Sequence, residues 1–124
     1  MSRWILIVDD NPLNLKLARV LLECEGHTVR TAVDAEEALK ILEEDLPSMI
    51  LMDIQLPGMD GLELTRRLKA SPATACVVIL AVTAYAMKGD EQRAIAAGCD
   101  GYIRKPFDTV TLPAVIAEYL ARAA

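Results

Sequence analysis

The chain has 124 residues, of which 53% are hydrophobic and 25% are charged, and its formal net charge is −5. This length and composition predict one globular domain with enough core to fold alone, and they exclude a disordered chain. The acidic balance also argues against a nucleic-acid-binding surface, which would be basic.

The first part of the chain predicts a strand, a helix and a second strand. The apolar run 4–8 is typical of a strand buried on both faces. Asn11 and Pro12 then open the first helix as an N-cap and a proline at N1, and Gly26 supplies its stop. The apolar residues that follow helical spacing in this helix are Leu13, Leu17, Val20 and Leu21. The more polar run 27–32 suits a strand at the edge of a sheet.

A second helix and a third strand follow. Asp34 and Glu37 form an N-cap and capping-box pair for a helix that extends to about residue 44. Its inner side is expected to carry Ala38, Ile41 and Leu42. The apolar run 49–52 then predicts a third strand over residues 49–53, again buried on both faces.

The middle of the chain predicts a loop, a third helix and a fourth strand. Pro-Gly and Asp-Gly signals favour a loop over 56–61. The third helix is expected around 62–70, where Leu64 and Leu68 or their neighbours are buried. The fourth strand spans about 76–82 and is the longest apolar run of the chain.

The last part predicts a helix, a short strand and a final helix. The fourth helix is expected around 86–97, although Gly89 interrupts it, and Gly98 closes it. The fifth strand lies near 101–104. The final helix carries Leu112, Val115, Ile116, Tyr119 and Leu120. Strands separated by single helices favour right-handed crossovers and a parallel α/β sheet within one domain.

The cysteines and the start of the chain bear on the compartment. Cys24, Cys76 and Cys99 are an odd number without metal-ligand or CxxC spacing. The apolar run after Arg3 is too short for a signal peptide or a membrane span. We therefore expect a reduced, cytoplasmic compartment.

Polar side chains with complementary chemistry follow four of the predicted strands. Asp9 and Asp10 follow the first strand, and Asp53 ends the third. Thr83 follows the fourth strand, and Lys105 follows the fifth. Because ligands of parallel sheets bind outside the carboxyl ends of the strands, neighbouring strands would bring these groups to one edge.

Three clustered carboxylates need electrostatic compensation. Two unit charges about 4 Å apart repel each other by roughly 1 kcal/mol in water and by about 4 kcal/mol at an effective dielectric constant of about 20. Three such pairs would remove a large share of a domain's stability of roughly 5–15 kcal/mol. Protons or a cation must therefore compensate, and oxygen ligands favour Mg²⁺ (magnesium) before Zn²⁺. The only histidine, His27, falls at the opposite end of the strands, which argues against an imidazole metal site.

The same groups suit phosphoryl transfer. A divalent ion beside a carboxylate holds phosphate oxygens and neutralises charge while an aspartate attacks the phosphoryl group. Thr83 could hydrogen-bond one phosphoryl oxygen, and Lys105 could pair with another. Taken singly, each residue has an ordinary alternative: Asp10 as a helix N-cap, Thr83 as a turn or cap residue, and Lys105 as a solvated lysine. Their joint occurrence at four strand ends favours a functional site.

Four segments resemble the receiver domain of bacterial two-component response regulators, in the family's order and spacing and across nearly the whole chain. They are Ile7-Val8-Asp9-Asp10-Asn11, Met52-Asp53-Ile54-Gln55-Leu56-Pro57-Gly58-Met59-Asp60-Gly61, Val82-Thr83-Ala84 and Tyr102-Ile103-Arg104-Lys105-Pro106-Phe107. The resemblance implies a three-layer αβα fold with a flavodoxin-like five-stranded parallel sheet in the order 2-1-3-4-5 and five helices.

The resemblance implies separate roles for the acidic residues. Asp53 would accept a phosphoryl group from a phosphohistidine on a sensor histidine kinase or a histidine phosphotransfer protein. Mg²⁺ would be bound at Asp53, directly by Asp10, largely through water by Asp9, and by the backbone carbonyl of Gln55. Beyond its own phosphorylation and autodephosphorylation, the protein would catalyse no metabolic reaction.

The resemblance also implies a switch. Thr83 and Lys105 would contact the phosphoryl group, and the peptide bond between Lys105 and Pro106 would be cis. Tyr102 matches the family's switch aromatic, whose ring turns inward as Thr83 closes on the phosphate; a half-buried strand tyrosine is the alternative. The resulting population shift would alter the surface formed by the fourth helix, the fifth strand and the fifth helix, where partners dock.

The expected partners are the phosphohistidine donor and a downstream protein target, without direct contact to nucleic acid or membrane. We expect a monomer or a weak phosphorylation-dependent dimer. Residues 1–124 are expected to form a single receiver domain without an output domain, although an excised receiver is an alternative. The segments 10–14 and 84–90 resemble single-domain regulators of the chemotaxis type and receivers attached to hybrid kinases most closely.

Three other functions fit the pattern less well. Hydrolases with an aspartate nucleophile usually carry Asp-x-Asp after the first strand and a cap domain, whereas Asp9 and Asp10 are adjacent. A flavin carrier would need a Ser/Thr/Gly phosphate loop where this chain has the acidic segment 9–12. A degenerate receiver that binds partners without phosphorylation is disfavoured by the complete set of site residues.

Overall fold

The computed structural model describes residues 4–54, 61–83, 90–104 and 110–123, in which five strands alternate with five helices. The elements in chain order are β1 (Trp4–Val8), α1 (Pro12–Cys24), β2 (Thr28–Ala32), α2 (Ala35–Glu44), β3 (Met49–Asp53), α3 (Gly61–Ala70), β4 (Val78–Thr83), α4 (Asp90–Ala97), β5 (Gly101–Arg104) and α5 (Thr111–Ala123). In these ranges, no helix has both the length and the apolar character that a membrane span requires.

The five strands form one parallel sheet in the order β2-β1-β3-β4-β5. Every residue of β1 and β3 is buried, as expected for central strands covered on both faces. The more polar β2 lies at an edge, as its composition predicts. The predicted strand order and fold class are therefore confirmed. The strand order reverses between β1 and β3, and doubly wound sheets bind their ligands at such a switch point.

Two apolar layers enclose the sheet and confirm the three-layer arrangement. On one face, Ile5 and Ile7 of β1 pack with residues of α1 and α5. On the other face, Leu6 and Val8 pack with residues of α2, α3 and α4. The alternation along β1 is the ordinary pleat of a strand, and it places α1 and α5 together on one side of the sheet.

The predicted N-caps of α1 and α2, the proline at the start of α1 and the glycine after α4 are present in the structure. The Asn11 side chain accepts hydrogen bonds from the backbone N–H groups of the second and third helical residues, and Pro12 is at N1. Asp34 caps α2 by accepting the backbone N–H of Glu37 at 2.8 Å. Gly98 follows α4 with a φ of +105°, which favours glycine.

The spacing of apolar residues indicated the wrong face of α1. Leu13, Leu17 and Val20 are 77%, 39% and 47% exposed. The buried residues of this helix are Leu15, Ala18 and Leu22, and Leu21 is only partly buried. The helix carries two apolar stripes, and the one that contains Ala18 lies against the sheet. An exposed apolar stripe is left on α1.

Element boundaries differ slightly from the sequence prediction. The fourth strand begins at Val78 rather than near 76, because the N–H of Val77 donates to Thr74 within the preceding turn. The first residues of the predicted fourth helix, 86–89, lie outside the described residues, and α4 runs from Asp90. The third helix begins at Gly61, one residue earlier than predicted.

Candidate functional site

The structure brings three acidic side chains together at the carboxyl edge of the sheet. Carboxylate oxygens of Asp9, Asp10 and Asp53 all lie within 4.8 Å of one another. Asp9 and Asp53 are 2% and 5% exposed, whereas Asp10 is exposed. The β1–β3 pairing ends with Val8 opposite Met52, so that Asp9 and Asp53 occupy the next positions of the two central strands. The predicted convergence of these residues is therefore present.

The turn after β1 fixes the orientation of Asp9. Its backbone N–H donates to the carbonyl of Ala32 at 3.0 Å and extends the pairing with β2. Its Oδ1 accepts the backbone N–H of Asn11 at 2.9 Å, and Asn11 in turn caps α1. Asp10 is consequently not the N-cap, and the alternative interpretation of this residue is excluded.

The backbone of Asp53 is held from two sides. It pairs with Val82 of β4, and the N–H of Ile54 donates to the Val82 carbonyl at 3.2 Å. On the other side, a Cβ at Gly61 would overlap the Asp53 carbonyl oxygen and lie 2.9 Å from the Asp53 carbonyl carbon. Only glycine therefore lets α3 begin this close to the end of β3.

Thr83 lies beside Asp53 on the neighbouring strand. It ends β4, is 1% exposed and follows Val82, the register partner of Asp53. Neighbouring strands are about 4.8 Å apart, which suits contact between the Thr83 hydroxyl and a group carried by Asp53. The predicted residues Gln55, Lys105 and Pro106, with the predicted cis peptide bond, lie outside the described residues.

Tyr102 is placed on β5, opposite Ala81 of β4. It is partly buried and packs against the core on the side of α2, α3 and α4. The preceding residue, Gly101, faces α5, and a Cβ there would overlap the hydroxyl of Tyr119. One face of β5 therefore carries Tyr102, and Tyr119 of α5 packs against the other face at Gly101.

The donor set of the acidic cluster suits a hard cation. All three groups are carboxylates, and two of them are buried, where charge repulsion is stronger than in water. Oxygen donors are those that Mg²⁺ prefers, while Zn²⁺ in proteins is usually held with histidine or cysteine. The residues present therefore fit Mg²⁺.

Sequence reasoning missed a buried polar pair behind the site. Thr65 of α3 is fully buried, and its Oγ1 donates to the Gly61 carbonyl at 2.8 Å. The Cys99 thiol donates to the same Thr65 Oγ1 at 3.8 Å. Burial raises the pKa of the Cys99 thiol. The sequence feature that could have indicated this pair is a threonine next to Leu64, on the side of the third helix that is expected to be buried.

Comparisons with known proteins agree with this geometry. The sequence profile of the response regulator receiver domain matches residues 5–117. The polar-differentiation response regulator DivK of Brucella ovis is 45% identical over 124 residues, which cover 99% of this chain and 100% of that protein. A putative response regulator from Chloroflexus aurantiacus superposes with a TM-score of 0.93 at 33% identity, covering 98% of this chain and 100% of the other. A CheY-like receiver domain protein from Methanospirillum hungatei gives a TM-score of 0.90 at 33% identity, with 99% and 97% covered.

Proposed function

Because the chain belongs to the response regulator receiver domain family, we propose that it is a phosphorylation-activated switch whose phosphoacceptor is Asp53. Family membership makes it a module of two-component signalling rather than a metabolic enzyme, and it sets aside the hydrolase and flavin-carrier alternatives. The finer proposal is carried by one observation, the buried Asp53 carboxylate beside those of Asp9 and Asp10.

The acidic cluster would hold Mg²⁺. Asp10 and Asp53 would bind the ion through their carboxylate oxygens, and Asp9 would bind it largely through water. The backbone carbonyl of Gln55 would complete the proposed set. When bound, the ion supplies positive charge against the clustered carboxylates and the incoming phosphoryl oxygens. The hydrogen bond from Asn11 to Asp9 holds one of these carboxylates in place before any ligand arrives.

The proposed reaction moves a phosphoryl group from a histidine to Asp53. An oxygen of the carboxylate attacks phosphorus, the O–P bond forms as the N–P bond breaks, and the imidazole leaves. Thr83 would donate its hydroxyl to one phosphoryl oxygen, and the Lys105 ammonium would pair with another. Water would later hydrolyse the aspartyl phosphate, so that the protein catalyses its own phosphorylation and autodephosphorylation.

We propose that the phosphohistidine donor docks on the exposed apolar stripe of α1. Leu13, Leu17 and Val20 are exposed along one side of a helix that begins at the turn carrying Asp9 and Asp10. The donor is a histidine kinase or a histidine phosphotransfer protein, and its reactive histidine must reach the acidic edge beside this stripe. An apolar helical face on the donor would bury these side chains during transfer.

The proposed output is a change at the surface of α4, β5 and α5. Thr83 would close on the phosphoryl group, and Tyr102 would turn inward into the space that opens toward α4. A downstream protein target would recognise the altered surface, on which Ile95 of α4 is 59% exposed. Phosphorylation thus shifts a two-state equilibrium, and the protein acts as a monomer or a weak phosphorylation-dependent dimer.

We further propose that residues 1–124 act as a single receiver domain in the cytoplasm. The alignment with DivK, which covers that whole protein, supports the assignment of these residues to one receiver domain. The three cysteines, all in the described part of the chain, are free thiols, which agrees with a reducing compartment.

The proposal is tested by phosphorylation with a small donor. The protein is incubated with acetyl phosphate, with and without Mg²⁺, and intact mass is followed over time. We expect a Mg²⁺-dependent gain of one phosphoryl group in the wild type and none in Asp53→Asn. Beryllofluoride with Mg²⁺ should raise the thermal midpoint of the wild type only, because a ligand that binds the folded state stabilises it. An equal mass gain in Asp53→Asn would refute the assignment, and no gain in the wild type would favour a degenerate receiver.

A further inference from the structure

A buried chain of polar contacts leads away from Asp53 through α3. Its central member is Thr65, which is fully buried in the first half of that helix. The Thr65 hydroxyl donates to the Gly61 carbonyl, four residues earlier, at 2.8 Å. This type of bond is common for threonine in helices. Its importance here depends on what Gly61 and Thr65 touch on either side.

On one side, the first residue of α3 lies directly against the proposed phosphoacceptor. Gly61 abuts the Asp53 carbonyl so closely that no Cβ fits between them. The N–H of Gly61 also donates to the carbonyl of Ile54 at 3.3 Å. The backbone of Asp53 is therefore positioned by the first turn of α3, and that turn is braced by Thr65.

On the other side, Thr65 reaches the segment before β5. The Thr65 hydroxyl gives its proton to Gly61, so its lone pairs are available to accept the Cys99 thiol at 3.8 Å. Burial raises the pKa of the Cys99 thiol and thus keeps it protonated, as a donor must be. The direction of both hydrogen bonds is consistent along the chain.

The segment that carries Cys99 is itself firmly held. Lys69 Nζ donates to Asp100 Oδ2 at 2.9 Å and to the Val77 carbonyl at 2.8 Å. Asp100 Oδ2 also accepts the N–H of Ile79 at 2.8 Å. These hydrogen bonds connect the end of α3, the start of β4 and the turn before β5 to one another. Through its contact with Cys99 in that turn, Thr65 can hold the first turn of α3 in a fixed position.

We propose that Thr65 is a positioning residue for the phosphoacceptor, holding the first turn of α3 against the backbone of Asp53 from the anchored segment that contains Cys99. The inference rests on the proposed function, because it assigns Thr65 a role in the reaction of Asp53. It predicts that the hydroxyl, rather than the volume of the side chain, matters for phosphorylation.

The test compares three variants. Thr65→Val keeps the shape of the side chain and removes its hydroxyl, whereas Thr65→Ser restores the hydroxyl. Thr74→Val is a matched control, because Thr74 is also buried and donates to a carbonyl of α3, that of Leu68, at the opposite end of the helix. Each variant is measured for stability in denaturant, for phosphorylation rate with acetyl phosphate at saturating Mg²⁺, and for hydrogen exchange of the Gly61 amide.

We expect Thr65→Val to be phosphorylated about tenfold more slowly, because small misplacements at a reacting group lower rates steeply. Its Gly61 amide should exchange about tenfold faster, as expected for a local opening. Thr65→Ser should stay within about twofold of the wild type in both measurements. Thr74→Val should lose stability but keep the wild-type phosphorylation rate and Gly61 exchange.

A wild-type phosphorylation rate in Thr65→Val would overturn the inference, as would equal losses of rate in Thr65→Val and Thr74→Val. If the wild type itself takes up no phosphoryl group, the proposed function fails instead. The exchange of Gly61 then still decides the positioning role, since unchanged exchange in Thr65→Val contradicts it and faster exchange supports it.

Discussion

Gly61 and Asp53 meet backbone to backbone at the carboxyl edge of the sheet. A Cβ at Gly61 would overlap the Asp53 carbonyl oxygen and lie 2.9 Å from the Asp53 carbonyl carbon. Because neither segment can move without disturbing the other, the position of the proposed phosphoacceptor depends on where α3 begins.

Gly61→Ala should therefore impair both folding and phosphorylation. The added methyl group must displace α3 or the end of β3, at a cost of about 1–3 kcal/mol in stability. Gly26→Ala is the matched control, because Gly26 has a φ of +88° and nothing within 4 Å of an added Cβ. It should lose stability through backbone strain yet keep the wild-type rate of phosphorylation by acetyl phosphate. A Gly61→Ala variant as stable and as active as the wild type would show that the contact is unimportant.

Asp10→Asn should stabilise the metal-free protein and remove its response to Mg²⁺. Loss of one of three mutually repelling carboxylates relieves on the order of 1 kcal/mol in a solvated setting. Denaturation in EDTA and in excess Mg²⁺ measures both effects. Asp34→Asn changes the same charge at the N-cap of α2, where asparagine also caps well, so its Mg²⁺ response should equal that of the wild type. An intact Mg²⁺ response in Asp10→Asn would remove Asp10 from the proposed metal site.

Stability should decrease at alkaline pH because of Cys99. Burial raises the pKa of this thiol in the folded state, so the unfolded chain loses its proton first, above about pH 8.5. The contribution of Cys99 is therefore fully present below that pH and is lost as the pH rises toward the folded-state pKa. Cys99→Ser, whose hydroxyl does not titrate in this range, should show a shallower decrease in its free energy of unfolding. Parallel curves for the two proteins between pH 8 and 10 would contradict the prediction.

Leu17→Glu should slow phosphoryl transfer from a protein donor without changing the rate of phosphorylation by acetyl phosphate. Leu17 lies in the exposed stripe of α1 and is not in the acidic cluster. Ile95→Glu places the same charge on an exposed apolar residue of α4 and serves as the control. Transfer from a phosphorylated histidine phosphotransfer protein is expected to fall about tenfold or more in Leu17→Glu alone, as for loss of a buried interface contact. Equal rates for both variants would exclude α1 as the docking surface.

The sequence predicted the acidic site well because its residues are fixed by simple rules. Runs such as 4–8 and 49–52 are apolar throughout, as central parallel strands require, and Asp9 and Asp53 come directly after those runs. The strand order came from the family resemblance, since periodicity does not specify which strands are neighbours. Once the order is known, the convergence of Asp9, Asp10 and Asp53 follows.

Other features depend on packing that the sequence does not reveal. Apolar residues lie on two sides of α1, and helical spacing alone did not distinguish the stripe with Leu17 from the one with Ala18. The contact between Thr65 and Cys99 joins residues 34 positions apart and arises only when α3 packs beside the segment before β5. The close approach of Gly61 to Asp53 likewise requires the actual direction in which α3 leaves the sheet.

The most direct test is the chemical identification of the phosphorylated residue. After reaction with acetyl phosphate and Mg²⁺, borohydride reduction converts an aspartyl phosphate to homoserine, and trypsin releases the peptide 41–66. Sequencing this peptide by mass spectrometry should find homoserine at position 53 and unmodified acidic residues elsewhere in it. Homoserine at another position, or none anywhere in a sample that has gained phosphate, would contradict the assignment of Asp53 as the phosphoacceptor.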